Sequence, residues 1–207
     1  MPAWNRALFL AINAPPGAPA LEIHVARLLA SSPLLLAPAL LVALWVWGRR
    51  AGRGGLLAST TATLLGIGIN QILGALYFEP RPFMIGLGRT LIAHAPDNSF
   101  PSDHATLVWT LAAGLIATAA APGWGIAMGL YGLGVAWARI FLGVHLPLDM
   151  LGSAGVAVLG AGLARLAMRW PIASLLPRIE AIYERCLTLL GLPPSVLPRA
   201  APSPGKH

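Results

Sequence analysis

Long runs without a single charged side chain dominate this sequence. Residues 28–48, 54–78 and 105–138 contain none. A helix needs about 20 mostly apolar residues to cross the hydrocarbon core of a bilayer. With 57% hydrophobic and only 10% charged residues, the 207-residue chain is too apolar for a soluble domain of this size. The chain is therefore predicted to be an all-α integral membrane protein.

Proline and glycine divide the apolar runs into five predicted membrane spans. The run from 105 to 138 is too long for one helix, and Ala121-Pro122-Gly123 interrupts it. Pro147 is suited to the first turn of the last span, because proline has no N–H group to lose there. The five helices are predicted to form a bundle. The predicted spans cover about residues 28–48, 55–78, 104–121, 124–142 and 147–168.

Shorter segments flank the predicted bundle. Residues 2–27 contain an apolar stretch that is too short to span and is predicted to form a helix in the membrane interface. A cleaved signal peptide with Arg6 as its basic region is the alternative. The membrane domain is predicted to cover residues 1–170, and residues 171–207 to form a cytoplasmic amphipathic helix followed by a disordered proline-rich tail. The helix is predicted from the spacing of Ile179, Ile182, Cys186, Leu187 and Leu190.

Arginines at the ends of the spans predict the orientation of the bundle. Short loops rich in arginine and lysine stay on the cytoplasmic side. The segment GRRAGR, residues 48–53, follows the first span, and Arg165 and Arg169 lie at the end of the fifth. Both signals fall on the same side of the membrane after the intervening crossings. The loops at about 79–103 and 139–146 are therefore predicted to face outward.

Charge and cysteine content argue against other classes of protein. The net charge of +7 could indicate nucleic-acid binding, but the arginines are scattered between apolar runs and form no single dense basic segment. No nucleic-acid partner is therefore predicted. The single cysteine, Cys186, cannot form an internal disulfide and does not indicate a redox compartment.

The outward loops and the helix starts beside them carry polar residues that could support chemistry. Arg81 lies in the first loop and His104 just after it; Arg139 and His145 lie in the second loop and Asp149 just after it. Polar residues at the mouth of a helix bundle indicate a functional site. Two guanidinium groups fit the oxygens of phosphate or carboxylate. A carboxylate beside histidine is suited to nucleophilic or acid–base catalysis.

Each of these residues also has a structural alternative. Arg81 and Arg139 could be ordinary interfacial arginines with their charged ends in water. His145 and Asp149 could be a polar pair that joins two spans. A metal site lacks any recognised ligand spacing, and no metal is predicted. Its ligands would be Asp103, His104, His145 and Asp149.

Three motifs in this sequence resemble those of a known family. They are PRP at 80–82, FPSDH at 100–104 and ARIFLGVHLPLD at 138–149, and they resemble the type 2 phosphatidic acid phosphatase superfamily of membrane lipid phosphatases. The stretch SFPSDHAT, together with Asn70, looks most like the bacitracin-resistance type of undecaprenyl-diphosphate phosphatase. The resemblance implies hydrolysis of undecaprenyl diphosphate on the periplasmic side of a bacterial inner membrane, which recycles the lipid carrier for peptidoglycan synthesis.

The resemblance also implies a role for each site residue. His145 would attack the terminal phosphorus and become a phosphohistidine, with Asp149 orienting its ring. His104 would protonate the departing lipid phosphate and then activate water. No cofactor is implied, because the arginines supply the positive charge. The phosphate oxygens would be held by Arg81, Arg139 and Ser102.

Three positions differ from the family pattern or are difficult to reconcile with a phosphate site. The family usually has lysine and serine where this chain has Gly74 and Ala138. Arg89 or His94 is a candidate to replace the lysine, although a histidine alone in a loop is more typical of a solvated residue. Asp103 would place an anion beside the phosphate, so its side chain is predicted to turn away and cap the third span.

Two other functions are consistent with the same residues. A phosphatase acting on phosphatidylglycerophosphate, phosphatidic acid, diacylglycerol pyrophosphate or lipid A would use the same site. A transporter or scaffold that binds a lipid phosphate through the arginines is the alternative outside the enzyme class. The sequence indicates no oligomeric state.

Overall fold

Eight α-helices make up the fold of residues 1–169 and 171–191, the part of the chain that the computed structural model describes. No strand occurs in this part, so the predicted all-α class is confirmed. The predicted disordered tail after Gly191 lies outside the described residues. The helices are α1 (Ala3–Ile12), α2 (Ala20–Ser31), α3 (Pro33–Trp47), α4 (Arg53–Leu76), α5 (Asp103–Ala117), α6 (Pro122–Phe141), α7 (Pro147–Arg169) and α8 (Pro171–Leu189).

The number of helices able to cross a bilayer differs from the five predicted. In the described part of the chain, α4, α6 and α7 are long and apolar enough, and α2 with α3 qualifies only as a pair. A 54° bend separates α2 from α3, so the span predicted over 28–48 is not a single unbroken helix. The break falls at Pro33, because proline is favoured at the first position of a helix but disrupts the turn before it.

The short helix α5 lies at the centre of the bundle. Its 15 residues extend about 22 Å at 1.5 Å per residue, less than the roughly 30 Å of a hydrocarbon core. The predicted span over 104–121 is therefore longer than the helix itself. α5 packs against α4, α6 and α7, and Val108, Leu111 and Leu115 are buried there. Its apolar side chains pack mainly against the neighbouring helices.

The terminal helices pack against the outside of the bundle. α1 contacts α6 and α7, and the side-chain oxygen of Asn5 accepts a hydrogen bond of 2.9 Å from the backbone N–H of Leu148. α8 packs on α4 and α7 at the opposite end. There the buried Arg53 lies 3.4 Å from Glu180 and 5.1 Å from the ring centre of Tyr183. The predicted C-terminal helix is therefore attached to the bundle.

A long loop between α4 and α5 closes over one end of the bundle. An isolated bridge joins Pro80 to Asn98 across its two arms. The side chain of Asn13 donates hydrogen bonds of 2.9 and 3.1 Å to the carbonyl oxygens of Arg89 and Phe141, which ties the loop to the end of α6. The ends of α4 and α6 and the starts of α5 and α7 meet beneath this loop.

Close packing of α6 on α5 depends on Gly125. A Cβ atom at this position would lie 2.8 Å from the carbonyl oxygen of Ala112 and 2.6 Å from Ile116 Cγ1, whereas a Cβ at Gly129 would meet nothing within 4 Å. We expect Gly125→Ala to lower the Tm of the protein in detergent by about 2–10 °C, because overpacking a helix interface costs about 1–3 kcal/mol. Gly129→Ala is the matched control on the same helix and should keep the wild-type Tm. Equal Tm values for both variants would contradict this account of the interface.

Candidate active site

A polar cavity of about 390 Å³ opens at the end of the bundle that the long loop covers. Four of the six residues that the sequence predicts for the site's chemistry line this cavity, and a fifth lies directly behind them. Arg81 comes from the loop, His104 from α5 and Arg139 from α6, while His145 lies between α6 and α7. Asp149 is placed behind His145, in the first turn of α7.

His145 is held from behind by a carboxylate. Its Nδ1 lies 3.1 Å from Asp149 Oδ2, and the same oxygen accepts hydrogen bonds from the backbone N–H of Leu146 at 2.8 Å and from Ser99 Oγ at 2.5 Å. Pro147 does not prevent this arrangement, because His145 precedes the helix and Asp149 reaches back from the first turn. The imidazole is fully buried and its orientation is determined on this side.

The other ring nitrogen of His145 faces two guanidinium groups. Its Nε2 lies 3.1 Å from Arg81 Nη1 and 3.3 Å from Arg139 Nη2. A guanidinium group can only donate hydrogen bonds, so Nε2 accepts them and carries no proton. Nδ1 must then carry the proton, and it donates a hydrogen bond to Asp149. This tautomer leaves a nitrogen lone pair directed into the cavity.

Both arginines are buried, which excludes the alternative that they are ordinary interfacial residues. Only 5% of Arg81 and 4% of Arg139 is exposed. Arg81 donates to Asp97 Oδ1 at 2.7 Å, to the carbonyl of Val144 at 2.8 Å and to that of Asn98 at 3.0 Å. Arg139 is less completely paired, because its Nε has no partner among the described residues. These charges are therefore directed at the cavity.

Burial and positive charge keep His145 neutral. Burial lowers the pKa of His145 well below its ordinary value, and the nearby charges of Arg139 and Arg81 lower it further. The pKa of Asp97 is also lowered: burial acts to raise it, but the hydrogen bond and charge of Arg81 outweigh that effect. At neutral pH the site thus combines the neutral imidazole of His145 with the guanidinium groups of Arg81 and Arg139. The carboxylate of Asp97 lies beside Arg81.

Two further predicted residues lie in the motif at the start of α5. His104 lines the cavity and is partly buried, and no described residue is hydrogen-bonded to its ring. Ser102 is fully buried at the N-cap of α5, outside the cavity lining, and its hydroxyl has no partner among the described residues. Its role as a phosphate ligand therefore stays a prediction.

The prediction that Asp103 caps α5 and turns away from the cavity is wrong. Ser102 occupies the N-cap position, and Asp103 lines the cavity rim. Its two carboxylate oxygens accept hydrogen bonds from Asn70 at 2.8 Å and from Gln71 at 3.2 Å. A carboxylate in the first turn also benefits from the positive end of the helix dipole. These contacts, all from α4 and α5, hold the anion at the edge of the cavity.

Sequence reasoning did not single out Ser99, and it gave His94 only as one of two candidates to replace the family's lysine. Ser99 donates a hydrogen bond to Asp149 from a loop that has no periodic pattern. Its position three residues before Ser102 was the one feature of the sequence that could have indicated a role. The alternative interpretation of His94, a solvated side chain alone in the loop, is wrong. Its Nε2 lies 3.1 Å from Arg139 Nη2, and its ring centre lies 6.4 Å from that of His145.

Of the two candidates to replace the family's lysine, only His94 lines the cavity. Arg89 donates to the carbonyl oxygen of Pro15 at 2.6 Å and is exposed. Gly74, the position of the missing lysine, lies against the side chain of Asn98. A Cβ atom at Gly74 would come within 2.9 Å of Asn98 Nδ2, so a larger side chain there would have to displace the asparagine.

This arrangement is suited to nucleophilic attack on a tetrahedral anion. A neutral imidazole lone pair points at the place where two guanidinium groups would hold the anion's oxygens. A second histidine stands free on the cavity wall and could transfer a proton. Within residues 1–169 and 171–191, no group of three or more His, Cys, Asp or Glu side chains is placed to hold a metal ion.

Known proteins are similar to this chain in sequence and in fold. The PAP2 superfamily matches residues 55–174, which include every residue of the cavity. The crystal structure of LpxE from Aquifex aeolicus has a TM-score of 0.58 and 26% sequence identity, covering 78% of this chain and 94% of that one. The fold is therefore shared with a solved protein over most of both chains.

Two curated proteins are similar in sequence. "Putative undecaprenyl-diphosphatase YbjG" of Escherichia coli (strain K12) is 32% identical over 190 residues, which cover 89% of this chain and 93% of that protein. Undecaprenyl-diphosphatase BcrC of Bacillus subtilis (strain 168) is 37% identical over 120 residues, covering 58% of this chain and 61% of BcrC. The family match, the shared fold and these relatives together show that this chain belongs to the PAP2 superfamily.

Proposed function

We propose that this protein hydrolyses undecaprenyl diphosphate to undecaprenyl phosphate and inorganic phosphate. The observation that carries the proposal is the nitrogen His145 Nε2, which faces the cavity between Arg81 and Arg139 while Nδ1 is held by Asp149. The family supports a phosphatase. The names of YbjG and BcrC, both described as undecaprenyl-diphosphatase, support the choice of lipid.

In the first step the lone pair on His145 Nε2 attacks the terminal phosphorus. A P–N bond forms, the bond from phosphorus to the bridging oxygen breaks, and a protonated His104 gives its proton to that oxygen. Arg81 and Arg139 hold the oxygens of the transferred group as negative charge shifts toward the leaving group. Asp149 stabilises the positive charge that develops on the imidazole. Undecaprenyl phosphate leaves.

In the second step water replaces the histidine. His104, now neutral, takes a proton from a water molecule as its oxygen attacks the phosphorus, and the P–N bond breaks. The electron pair of that bond returns to His145 Nε2, and inorganic phosphate is released. His104 is again protonated and ready for the next turnover. Neither step needs a metal ion, because the guanidinium groups supply the positive charge.

The site is proposed to face the periplasm of a bacterial inner membrane. The cavity lies at one end of the bundle, while the segment 49–53 and the arginines that end α7 lie at the other. Loops rich in arginine stay in the cytoplasm. Hydrolysis at the outer face would recycle the carrier lipid used for peptidoglycan synthesis.

Phosphate release from a lipid panel tests the activity. Purified protein in detergent should release inorganic phosphate from undecaprenyl diphosphate in the presence of EDTA, because the arginines replace a metal as electrophile. Phosphatidylglycerophosphate, phosphatidic acid, diacylglycerol pyrophosphate and lipid A should compete weakly in the same assay. Preference for one of these lipids would reassign the substrate, and a strict need for a divalent cation would refute the mechanism.

Control variants connect that activity to His145. His145→Ala should lower kcat by more than about 1,000-fold, because the nucleophile is lost. His24→Ala is the matched control, since His24 is exposed on α2 and lies outside the cavity. Substrate labelled in its terminal phosphate should leave an acid-labile, base-stable label on the wild type but none on His145→Ala. Wild-type phosphate release by His145→Ala would exclude a phosphohistidine and leave only direct attack by water.

Ser99→Ala tests whether Ser99 holds Asp149, and through it the nucleophile His145, in place. Losing the hydrogen bond to the Asp149 carboxylate should lower kcat by about 10–100-fold with little change in KM, because hydrogen bonds to charged groups contribute about 1.5–3 kcal/mol. Ser31→Ala is the control, since Ser31 bonds only to carbonyls of its own helix. Steady-state kinetics measure both constants. A raised KM with unchanged kcat would show that Ser99 acts on substrate binding instead.

Cysteine labelling tests the orientation. In a Cys186→Ser background, Ala95→Cys places a thiol in the exposed loop beside the cavity, and Ala51→Cys places one at the other end of the bundle. An impermeant maleimide added to spheroplasts should label Ala95→Cys directly, and Ala51→Cys only after the membrane is permeabilised. The reverse pattern would place the cavity in the cytoplasm.

A further inference from the structure

His94 has no role in the two chemical steps, yet it stands at the phosphate position. Its Nε2 lies 3.1 Å from Arg139 Nη2, the same guanidinium nitrogen that lies 3.3 Å from His145 Nε2. The ring is 20% exposed and lines the cavity. An anion held by Arg139 in front of His145 is therefore also within reach of His94.

The charged residues of the cavity do not fully balance the negative charge of a bound diphosphate. A diphosphate bound there meets two guanidinium groups, of which Arg81 is already paired with Asp97 at 2.7 Å. Asp103 adds a second carboxylate at the rim. His145 must stay neutral to act as the nucleophile, and His104 gives its proton to the leaving group. His94 is the one remaining histidine among the described residues that line the cavity.

The hydrogen bonds of His94 in this structure require a neutral ring. Arg139 can only donate, so His94 Nε2 accepts and has no proton. The proton is then on Nδ1, which lies 3.1 Å from the carbonyl oxygen of Ala95 and 3.7 Å from Asp97 Oδ1. When Arg139 turns its N–H groups to an incoming phosphate, His94 Nε2 loses its donor and faces an anion. A protonated Nε2 would restore a hydrogen bond there.

We infer that His94 takes up one proton when the substrate binds and donates a hydrogen bond from Nε2 to the bound phosphate. This inference rests on the proposed function, and it assigns His94 as a substrate-binding residue that supplies a positive charge in addition to those of Arg81, Arg139 and the protonated His104. The proton comes from solution and returns to it when phosphate leaves. The titratable and charged groups that face His94 are Arg81, Asp97, His104, Arg139 and His145.

The direction of the pH effect follows from these neighbours. Without substrate, burial lowers the pKa of His94 below its ordinary value, and Arg81 and Arg139 lower it further, while the Ala95 carbonyl and Asp97 oppose them in part. A bound phosphate anion raises that pKa. Between the lower pKa of His94 in the free protein and its higher pKa in the complex, binding takes up a proton. KM should therefore rise as pH rises through this interval.

Kinetics of His94→Gln test the inference, because glutamine keeps a hydrogen-bonding side chain but cannot titrate. For wild type, KM should rise by up to about tenfold per pH unit within the interval. His94→Gln should show a KM raised about tenfold at the acid end and should lose this part of the pH dependence. Ala93→Gln, in the same loop but outside the cavity, should match the wild type. If His94→Gln keeps the wild-type pH profile of KM, His94 only positions Arg139 and the inference is wrong.

Nuclear magnetic resonance of the protein labelled with ¹⁵N-histidine gives a second measurement. The His94 signal is identified by its loss in His94→Gln, and its pKa is followed with and without inorganic phosphate as the probe. A higher pKa with phosphate supports the inference, and an unchanged pKa overturns it. Because the probe is inorganic phosphate, this outcome is separate from the lipid panel. Failure of the panel would refute the proposed function without deciding the role of His94.

Discussion

Two buried arginines that share one histidine nitrogen are the interaction on which this end of the molecule depends. Burying a guanidinium group is costly unless it is paired. Arg81 is paired with Asp97 and with two backbone carbonyls, whereas the side-chain hydrogen bonds of Arg139 to described residues are those to the nitrogens of His94 and His145. Asp149, held by Ser99, keeps the shared imidazole in place from the other side. A phosphate anion would complete the pairing that the protein leaves unfinished.

The side chains of the site that come from helices lie at or next to the helix ends. α5 is short and central, so its first turn lies within the bundle near the ends of α4 and α6. Positions without a side chain allow this close packing: a Cβ at Gly125 would collide with α5, and one at Gly114 would come within 2.9 Å of Ser59. Small residues serve the same purpose at other interfaces between membrane helices. The covering loop then adds Arg81, His94 and Ser99 from outside the bundle.

Sequence reasoning succeeded where the signal was local and failed where it was not. The all-α membrane class and four of the residues that line the cavity were predictable, because apolar runs and clustered polar residues are visible in the chain itself. The bend before Pro33 and the shortness of α5 were not predicted, since hydropathy does not show where one helix stops against another. Asp103 was misjudged because its partners, Asn70 and Gln71, are more than 30 residues away along the chain.

By itself, the sequence determined the membrane class, the family motifs and the residue types available for phosphate chemistry. These depend on composition and on short spacings, which need no knowledge of contacts. The folded structure was needed to show which nitrogen of His145 faces the cavity, that Ser99 supports Asp149, and that His94 and not Arg89 lines the cavity. The physical reason is that hydrogen-bond direction and burial belong to pairs of groups, and folding brings these pairs together from distant parts of the chain.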